Sequence, residues 1–114
     1  MADNDIMDVI YEYEGQIYVW NRNKAISNYK KHKISFEEAV TIIFDEDTLT
    51  RQDKKHSEGE IRFTAIGYSA KSSVLFVCYC ERGINNTIRI YSARKANKRE
   101  QKLFRENAVP YKKW

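Results

Sequence analysis

Two histidines and several arginines are the side chains best suited to acid–base chemistry on a charged group. His32 ends a predicted helix, and His56 lies in the polar segment KKHSEGE. Imidazole exchanges protons near neutral pH, and guanidinium binds phosphate oxygens through several N–H groups. Each histidine also has a structural interpretation, because His32 could bond the last carbonyls of its helix and His56 could be a solvated loop residue. The residue types permit cleavage of a phosphodiester without requiring it.

Basic side chains also occur within and beside the predicted strands. Arg62 and Arg89 lie in mid-strand, each facing away from its apolar neighbours by strand alternation. Each could stabilise charge on a phosphate or pair with a carboxylate such as Glu60 or Glu81. Three further basic residues lie at strand ends, where loops can present side chains to one cleft. They are Arg82, Arg94 and Lys95.

The charges of the chain are unevenly distributed. The net charge of the 114 residues is +4, yet residues 1–14 hold five acids and no base. Residues 22–33 hold five Lys or Arg and no acid, and residues 89–114 hold nine against two acids. One basic run is most simply a solvated surface, but two favour a polyanionic partner such as RNA or DNA.

Several other functions find no support in the sequence. Gly-rich phosphate loops, nucleophile elbows and HExxH motifs are absent, and no tight Asp/Glu cluster suggests a Mg²⁺ site, so no cofactor is expected. Cys78 and Cys80 would lie roughly 6.6 Å apart on one strand face, which predicts reduced thiols rather than a disulfide. No run of roughly 18 apolar residues and no basic, signal-like N-terminus occurs, so we expect a cytoplasmic protein.

The first half of the chain predicts a strand or hairpin followed by two helices. Residues 8–20 alternate loosely around Glu14-Gly15, and Asn21 is a predicted N-cap for a helix over residues 22–32 with Ala25, Ile26 and Tyr29 on its apolar face. Ser35 and Glu38 have capping-box spacing for a second helix. The core-facing stripe of that helix has helical spacing, and the short link between the helices predicts a helical hairpin. The stripe comprises Phe36, Ala39, Val40, Ile43 and Phe44.

The second half predicts strands and a final helix. Residues 49–51 form a short possible strand, and residues 61–68, 74–81 and 87–92 form an antiparallel meander. Asn97 and Glu100 repeat the capping-box spacing before a polar helix. The expected architecture is therefore a single α+β domain over residues 1–114, with an antiparallel curved sheet, an N-terminal helical hairpin and a C-terminal helix packed on one face. Residues 1–14 would be an acidic extension and residues 106–114 a basic tail.

Four segments together resemble the BrnT family of bacterial ribonuclease toxins. They read YVWNRNKAISNYKKHKISFEEAV, HSEGEIRFTAIGYS, VLFVCYCERG and TIRIYSARKANKRE, and in order they cover about residues 17–105. The resemblance implies a RelE-like fold and metal-independent cleavage of RNA that inhibits translation and growth. It also implies a neutralising partner, a BrnA-like ribbon-helix-helix antitoxin, so that the chain would meet DNA only through that antitoxin.

The resemblance also suggests roles for particular residues. His32 would be the acid or base, with His56 as a second candidate, and Arg62 and Arg82 would stabilise charge on the phosphate. The residues expected to position the RNA are Lys24, Arg89, Ser92, Arg94 and Lys95. Asn21 and Lys33 stand where the family usually has Asp and Gly. These departures keep open a second interpretation, a non-catalytic relative that binds only the antitoxin or nucleic acid.

Overall fold

A computed structural model describes residues 7–57, 59–82 and 86–107, with Arg82 described by its backbone alone. Six strands, three α-helices and a 3₁₀ turn at Lys54–His56 follow one another along these residues. In chain order they are β1 (Asp8–Tyr13), β2 (Gln16–Asn21), α1 (Arg22–His32), α2 (Phe36–Ile43), β3 (Leu49–Gln52), β4 (Arg62–Tyr68), β5 (Val74–Arg82), β6 (Thr87–Lys95) and α3 (Lys98–Asn107). None of these helices is long and apolar enough to cross a membrane.

All six strands form one sheet in the order β1-β2-β6-β5-β4-β3. Neighbouring strands are antiparallel except β2 and β6, which run parallel at Tyr18–Ile88 and Val19–Arg89. The predicted purely antiparallel sheet is therefore wrong. The predicted antiparallel meander of residues 61–92 forms. After β2, however, the chain leaves the sheet and returns so that β6 lies beside β2 in the same direction. The pairing of strands that are distant in sequence depends on the path of the chain between them, which local sequence patterns do not predict.

Strand alternation divides the sheet into two faces. One face packs against α2 and forms the main core, with Trp20 against Phe36 and Tyr11. Trp20 is only 2% exposed and is therefore a core residue. The other face carries Arg62, Arg89 and Arg94, and we call it the arginine face.

Helices α1 and α2 begin as their sequences predict but do not form a helical hairpin. Asn21 caps α1 by accepting from Lys24 N–H, and Ser35 caps α2 by accepting from Glu38 N–H. Each helix makes its main contacts with the sheet rather than with the other helix. Only half of the predicted capping box forms at α2, since the buried Glu38 carboxylate accepts from the Ser69 hydroxyl at 2.6 Å instead.

The apolar faces predicted for the two helices are only partly correct. In α1, Ile26 and Tyr29 are exposed and the buried residue is polar, Asn28. In α2 the predicted stripe is buried as far as Ile43, but Phe44 lies beyond the helix end and is 66% exposed. Helix α1 runs beside a strand edge whose backbone groups need polar partners. The side of α1 that faces the protein is therefore polar, and the apolar residues Ile26 and Tyr29 do not mark its buried face.

Helix α3 packs on the arginine face, opposite α2. The full capping box forms at its start, because Asn97 N–H donates to Glu100 and Glu100 N–H donates to the Asn97 side chain. Glu100 also accepts from both terminal nitrogens of Arg94 at 2.8 and 2.9 Å. The helix contacts β4 on this face, where Ile66 is buried. The expectation that all helices share one face is thus wrong.

A β-bulge interrupts the pairing of β5 with β6. Tyr79 pairs with Ile90 and Cys78 pairs with Ser92, so Tyr91 is the extra residue. A bulge of this kind lets two consecutive side chains leave the strand on one side. Tyr91 and Ser92 consequently both lie on the arginine face.

Candidate functional site

The free edge of β6 determines where α1 lies. Strand β2 pairs with β6 only near Ile88 and Arg89, so the later residues of β6 have no strand on that side. There the Asn28 side chain accepts from Ala93 N–H at 3.2 Å and donates to Ala93 C=O at 2.7 Å. It also donates to Ile34 C=O at 3.1 Å. One buried amide thus takes the place of a neighbouring strand and fixes α1 against β6.

A groove of about 420 Å³ lies between α1 and β6 on the arginine face. We call it the α1–β6 groove. Its wall from α1 is basic and polar, and its wall from β6 is formed by the two bulge residues. The lining residues are Asn23, Lys24, Ser27, Asn28, Lys31, His32, Tyr91 and Ser92. His32 is half-buried, whereas Lys24 and Lys31 are exposed and can approach a solvated polyanion.

Tyr91 is the centre of a network of charged groups. The Arg62 guanidinium carbon lies 4.2 Å from the centroid of the Tyr91 ring, and Lys24 Nζ lies 5.3 Å from it. The Tyr91 hydroxyl donates to Glu60, which also accepts from Arg62 Nε at 3.3 Å. Cys80 Sγ lies 3.4 Å from the same hydroxyl. The ring therefore connects Arg62, on β4, to the α1–β6 groove, and Glu60 fixes the orientation of both Arg62 and Tyr91.

Two further arginines of this face, Arg89 and Arg94, are held by carboxylates. Arg89 forms a bidentate ion pair with Asp8 of β1 at 2.8 and 3.3 Å, with both side chains 22% exposed. Arg94 is paired with Glu100, and the Arg94 guanidinium carbon lies 4.3 Å from the centroid of the Phe76 ring. The hydrogen bond from Glu100 raises the pKa of Arg94. Arg62, Arg89 and Arg94 are consequently positioned cations, each with a local counter-ion that a phosphate would have to displace.

The chemistry available here is recognition of a phosphate and exchange of a proton. Imidazole, ammonium and hydroxyl groups converge in the groove, and a planar guanidinium lies behind its aromatic wall. Within the described part of the chain, no three His, Cys, Asp or Glu side chains come together as a metal-binding cluster.

Comparison with known proteins places this geometry in a family. The model of the family described as "Ribonuclease toxin, BrnT, of type II toxin-antitoxin system" matches residues 20–100. The chain belongs to the BrnT family. The crystal structure at 1.1 Å of the Brucella abortus ribonuclease toxin BrnT is similar in fold, with a TM-score of 0.54 and 20% sequence identity. The similarity covers 69% of this chain and 94% of the Brucella chain. No curated protein sequence matches this chain.

Every residue that lines the α1–β6 groove lies within the region matched by the BrnT family. Strand β1, which supplies Asp8 to Arg89, precedes that region. The groove is therefore built from the part of the chain that defines its family membership, whereas one of the ion pairs on the arginine face depends on a strand outside the matched region.

The residues selected from the sequence divide into two groups in the structure. Lys24, His32 and Ser92 line the groove, and Arg62 reaches it through the Tyr91 ring. The ion pair of Arg62 with Glu60 is one of the two alternatives foreseen for it. Arg89 and Arg94 share the arginine face but are held by Asp8 and Glu100 rather than lining the groove.

Two other selected residues, Lys95 and His56, do not line the groove. Lys95 is exposed at the end of β6, opposite Leu75, and by register it faces away from the arginine face. His56 lies in the 3₁₀ turn, 65% exposed, with Nδ1 2.9 Å from Asp53 Oδ2. Arg82 ends β5 opposite Thr87, and its side chain lies outside the described residues.

Two residues central to the site were missed by sequence reasoning. The role of Asn28 could not be predicted, because nothing in the sequence marks a polar helix residue as the hydrogen-bond partner of a distant strand edge. Nothing in the sequence around Tyr91 distinguishes it from the other tyrosines. Its position depends on the bulge, and no Gly or Pro in β6 marks that bulge.

Proposed function

We propose that this member of the BrnT family is an endoribonuclease toxin that cleaves RNA in the α1–β6 groove without a metal ion. The single observation that carries the proposal is the meeting of His32, Lys24 and Ser92 with the Arg62–Tyr91 stack around one groove. Family membership supports the ribonuclease activity. A groove lined by cations and an aromatic ring suits single-stranded RNA, whose phosphates need counter-charge and whose bases can stack.

In the proposed reaction the 2′-OH of a nucleotide attacks its own 3′-phosphate. The O–P bond that forms closes a 2′,3′-cyclic phosphate, and the P–O bond to the next nucleotide breaks. One proton leaves the 2′-OH and one joins the departing 5′-oxygen, and we assign His32 to one of these two transfers. Arg62 stabilises the charge on the phosphate, while Lys24 and Ser92 position the backbone. Arg82 remains a candidate for charge stabilisation through the family resemblance.

Cleavage of messenger RNA would inhibit translation and growth in the cytoplasm. The antitoxin expected from family membership would be a BrnA-like ribbon-helix-helix protein, and only this partner would contact DNA. It would neutralise the toxin by covering or distorting the basic groove. The RelE-like relationship implied by the sequence resemblance also stays a prediction.

The decisive experiment compares two histidine variants. Purified wild-type protein should cleave RNA in the presence of EDTA and leave a 2′,3′-cyclic or 3′-phosphate end. His32→Gln should lower kcat by roughly 10²–10⁴-fold. His56→Gln is the matched control, because His56 does not line the groove, and it should retain wild-type activity. A strict requirement for Mg²⁺, or full activity of His32→Gln, would overturn the mechanism.

Expression in cells tests the biological role. The wild-type chain should arrest growth and deplete messenger RNA, and co-expression of the ribbon-helix-helix protein encoded beside it should restore growth. A folded, tolerated chain that leaves RNA intact would favour the non-catalytic alternative instead.

A further inference from the structure

A second groove opens on the same face of the sheet as the α1–β6 groove. It has a volume of about 610 Å³ and lies between β3, the 3₁₀ turn and the strands β4 and β5. We call it the β3–β4 groove. Its floor is formed by Thr64 and Phe76, and its rim is mostly basic. The rim residues are Arg51, Gln52, Asp53, Lys54 and Lys55.

The charge of this groove favours an anion. Three cationic side chains line it against one carboxylate, that of Asp53. The hydrogen bond with His56 Nδ1 at 2.9 Å lowers the pKa of Asp53 and keeps this carboxylate ionised, so the balance on the lining is three cations against one anion. The Arg94 guanidinium, which is paired with Glu100, stacks on Phe76, one of the floor residues.

One row of paired residues connects the two grooves. Thr64 pairs with Cys78 and Cys78 pairs with Ser92, so a line across β4, β5 and β6 joins the floor of the β3–β4 groove to the wall of the α1–β6 groove. Two inter-strand spacings separate Thr64 from Ser92, or about 10 Å. Burial raises the pKa of the Cys78 thiol, which keeps the middle of this row uncharged. A short length of single-stranded RNA can span that distance.

We propose that the β3–β4 groove binds the RNA backbone a few nucleotides from the phosphate that is cut. This inference rests on the proposed ribonuclease function and adds a second subsite to it. Lys54 and Lys55 bind phosphate oxygens, and Phe76 offers an apolar floor to the sugar or base. The enzyme then prefers a substrate long enough to occupy both grooves over one that fills the α1–β6 groove alone.

The test varies substrate length and the two lysines together. Wild-type protein and Lys54→Ala/Lys55→Ala are compared on a ribodinucleotide and on a ribododecanucleotide that contains the same cleavable step. The double variant should lose roughly tenfold in kcat/KM on the long substrate, mainly through KM, and keep its rate on the dinucleotide. Loss of two phosphate contacts should also reduce the slope of log(kcat/KM) against log salt by about 1.4 on the long substrate.

The matched control removes two exposed lysines that line neither groove, as Lys30→Ala/Lys71→Ala. This control should match wild type on both substrates. If the Lys54/Lys55 variant affected short and long substrates equally, or affected neither, the second subsite would be overturned. The proposed ribonuclease function would not be affected by that result. Failure of wild-type protein to cleave either substrate would refute the ribonuclease function itself. A charge-reversed Lys54→Glu/Lys55→Glu variant should deepen the length-dependent loss.

Discussion

Replacing Asn28 by Ala should destabilise the protein far more than a typical helix substitution. The Asn28 amide makes three hydrogen bonds to backbone groups, two with Ala93 and one with Ile34, and the residue is 9% exposed. Each bond contributes about 1 kcal/mol net, so the variant should lose about 3 kcal/mol. For a domain of this size that corresponds to a fall in Tm of roughly 10–20 °C.

Urea denaturation of Asn28→Ala, with thermal unfolding as a second measurement, tests this value. Asn23→Ala is the control, since Asn23 lines the same groove from the same helix but is exposed, and it should change stability by less than about 0.5 kcal/mol. RNA cleavage by the folded Asn28→Ala protein should also fall, because α1 carries Lys24 and His32. Equal stability of the two variants would refute the idea that one amide replaces a strand at the edge of β6.

Three further changes test other features of the fold. Lys33 ends α1 with φ 62° and ψ 24°, a left-handed conformation that costs less for glycine, so Lys33→Gly should raise the free energy of unfolding by about 0.5–1 kcal/mol. A Cβ at Gly67 would lie 2.2 Å from Thr48 Oγ1 and 2.9 Å from Ile42 Cβ, so Gly67→Ala should cost about 1–3 kcal/mol in thermal unfolding. Although burial alone would raise the pKa of Glu100, the hydrogen bonds from Arg94 and from Asn97 N–H lower it. The stability that Glu100 contributes is therefore present above its ordinary value of 4.5 and is lost as pH falls below it, a loss that hydrogen exchange of α3 should detect.

Each of these predictions has an outcome that contradicts it. If Lys33→Gly were less stable than wild type, the left-handed backbone conformation at the end of α1 would not be strained by the lysine side chain. Wild-type stability of Gly67→Ala would reject the steric conflict. Gly59→Ala, with φ 76° and nothing within 4 Å of the new Cβ, measures the cost of backbone strain alone. Glu100→Gln should show less acid dependence of α3 exchange than wild type, and equal dependence would remove Glu100 as the cause.

Local features of the fold were predictable from the sequence. Caps at Asn21, Ser35 and Asn97 act within one helical turn, so residue type and spacing suffice to place helix starts. Likewise, the facing of Arg62 and Arg89 follows from alternation within each strand. The extra length of β6, which continues to Lys95, was not anticipated, because it depends on pairing with β5.

Features that depend on distant partners were not predictable. Glu38 lies at the right spacing to complete a capping box but bonds to Ser69 instead, because the turn between β4 and β5 comes close enough to compete. Similarly, Arg89 could not be paired from sequence with Asp8, 81 positions earlier. The same is true of the candidate site. Its residue types were recognisable in the sequence, but the Tyr91 ring and the Asn28 amide that organise the site were not.

The extra residue in β6 also decides which basic side chain faces the last helix. Counting by strict alternation from Arg89 would send Ala93 and Lys95 to the arginine face and turn Ser92 and Arg94 towards the core. With Tyr91 inserted, Arg94 reaches Glu100 and Lys95 points the other way. If Tyr91 instead paired in regular register, without the bulge, the two sides of the strand would be exchanged from Ser92 onward, and the helix contact and one groove wall would both be lost.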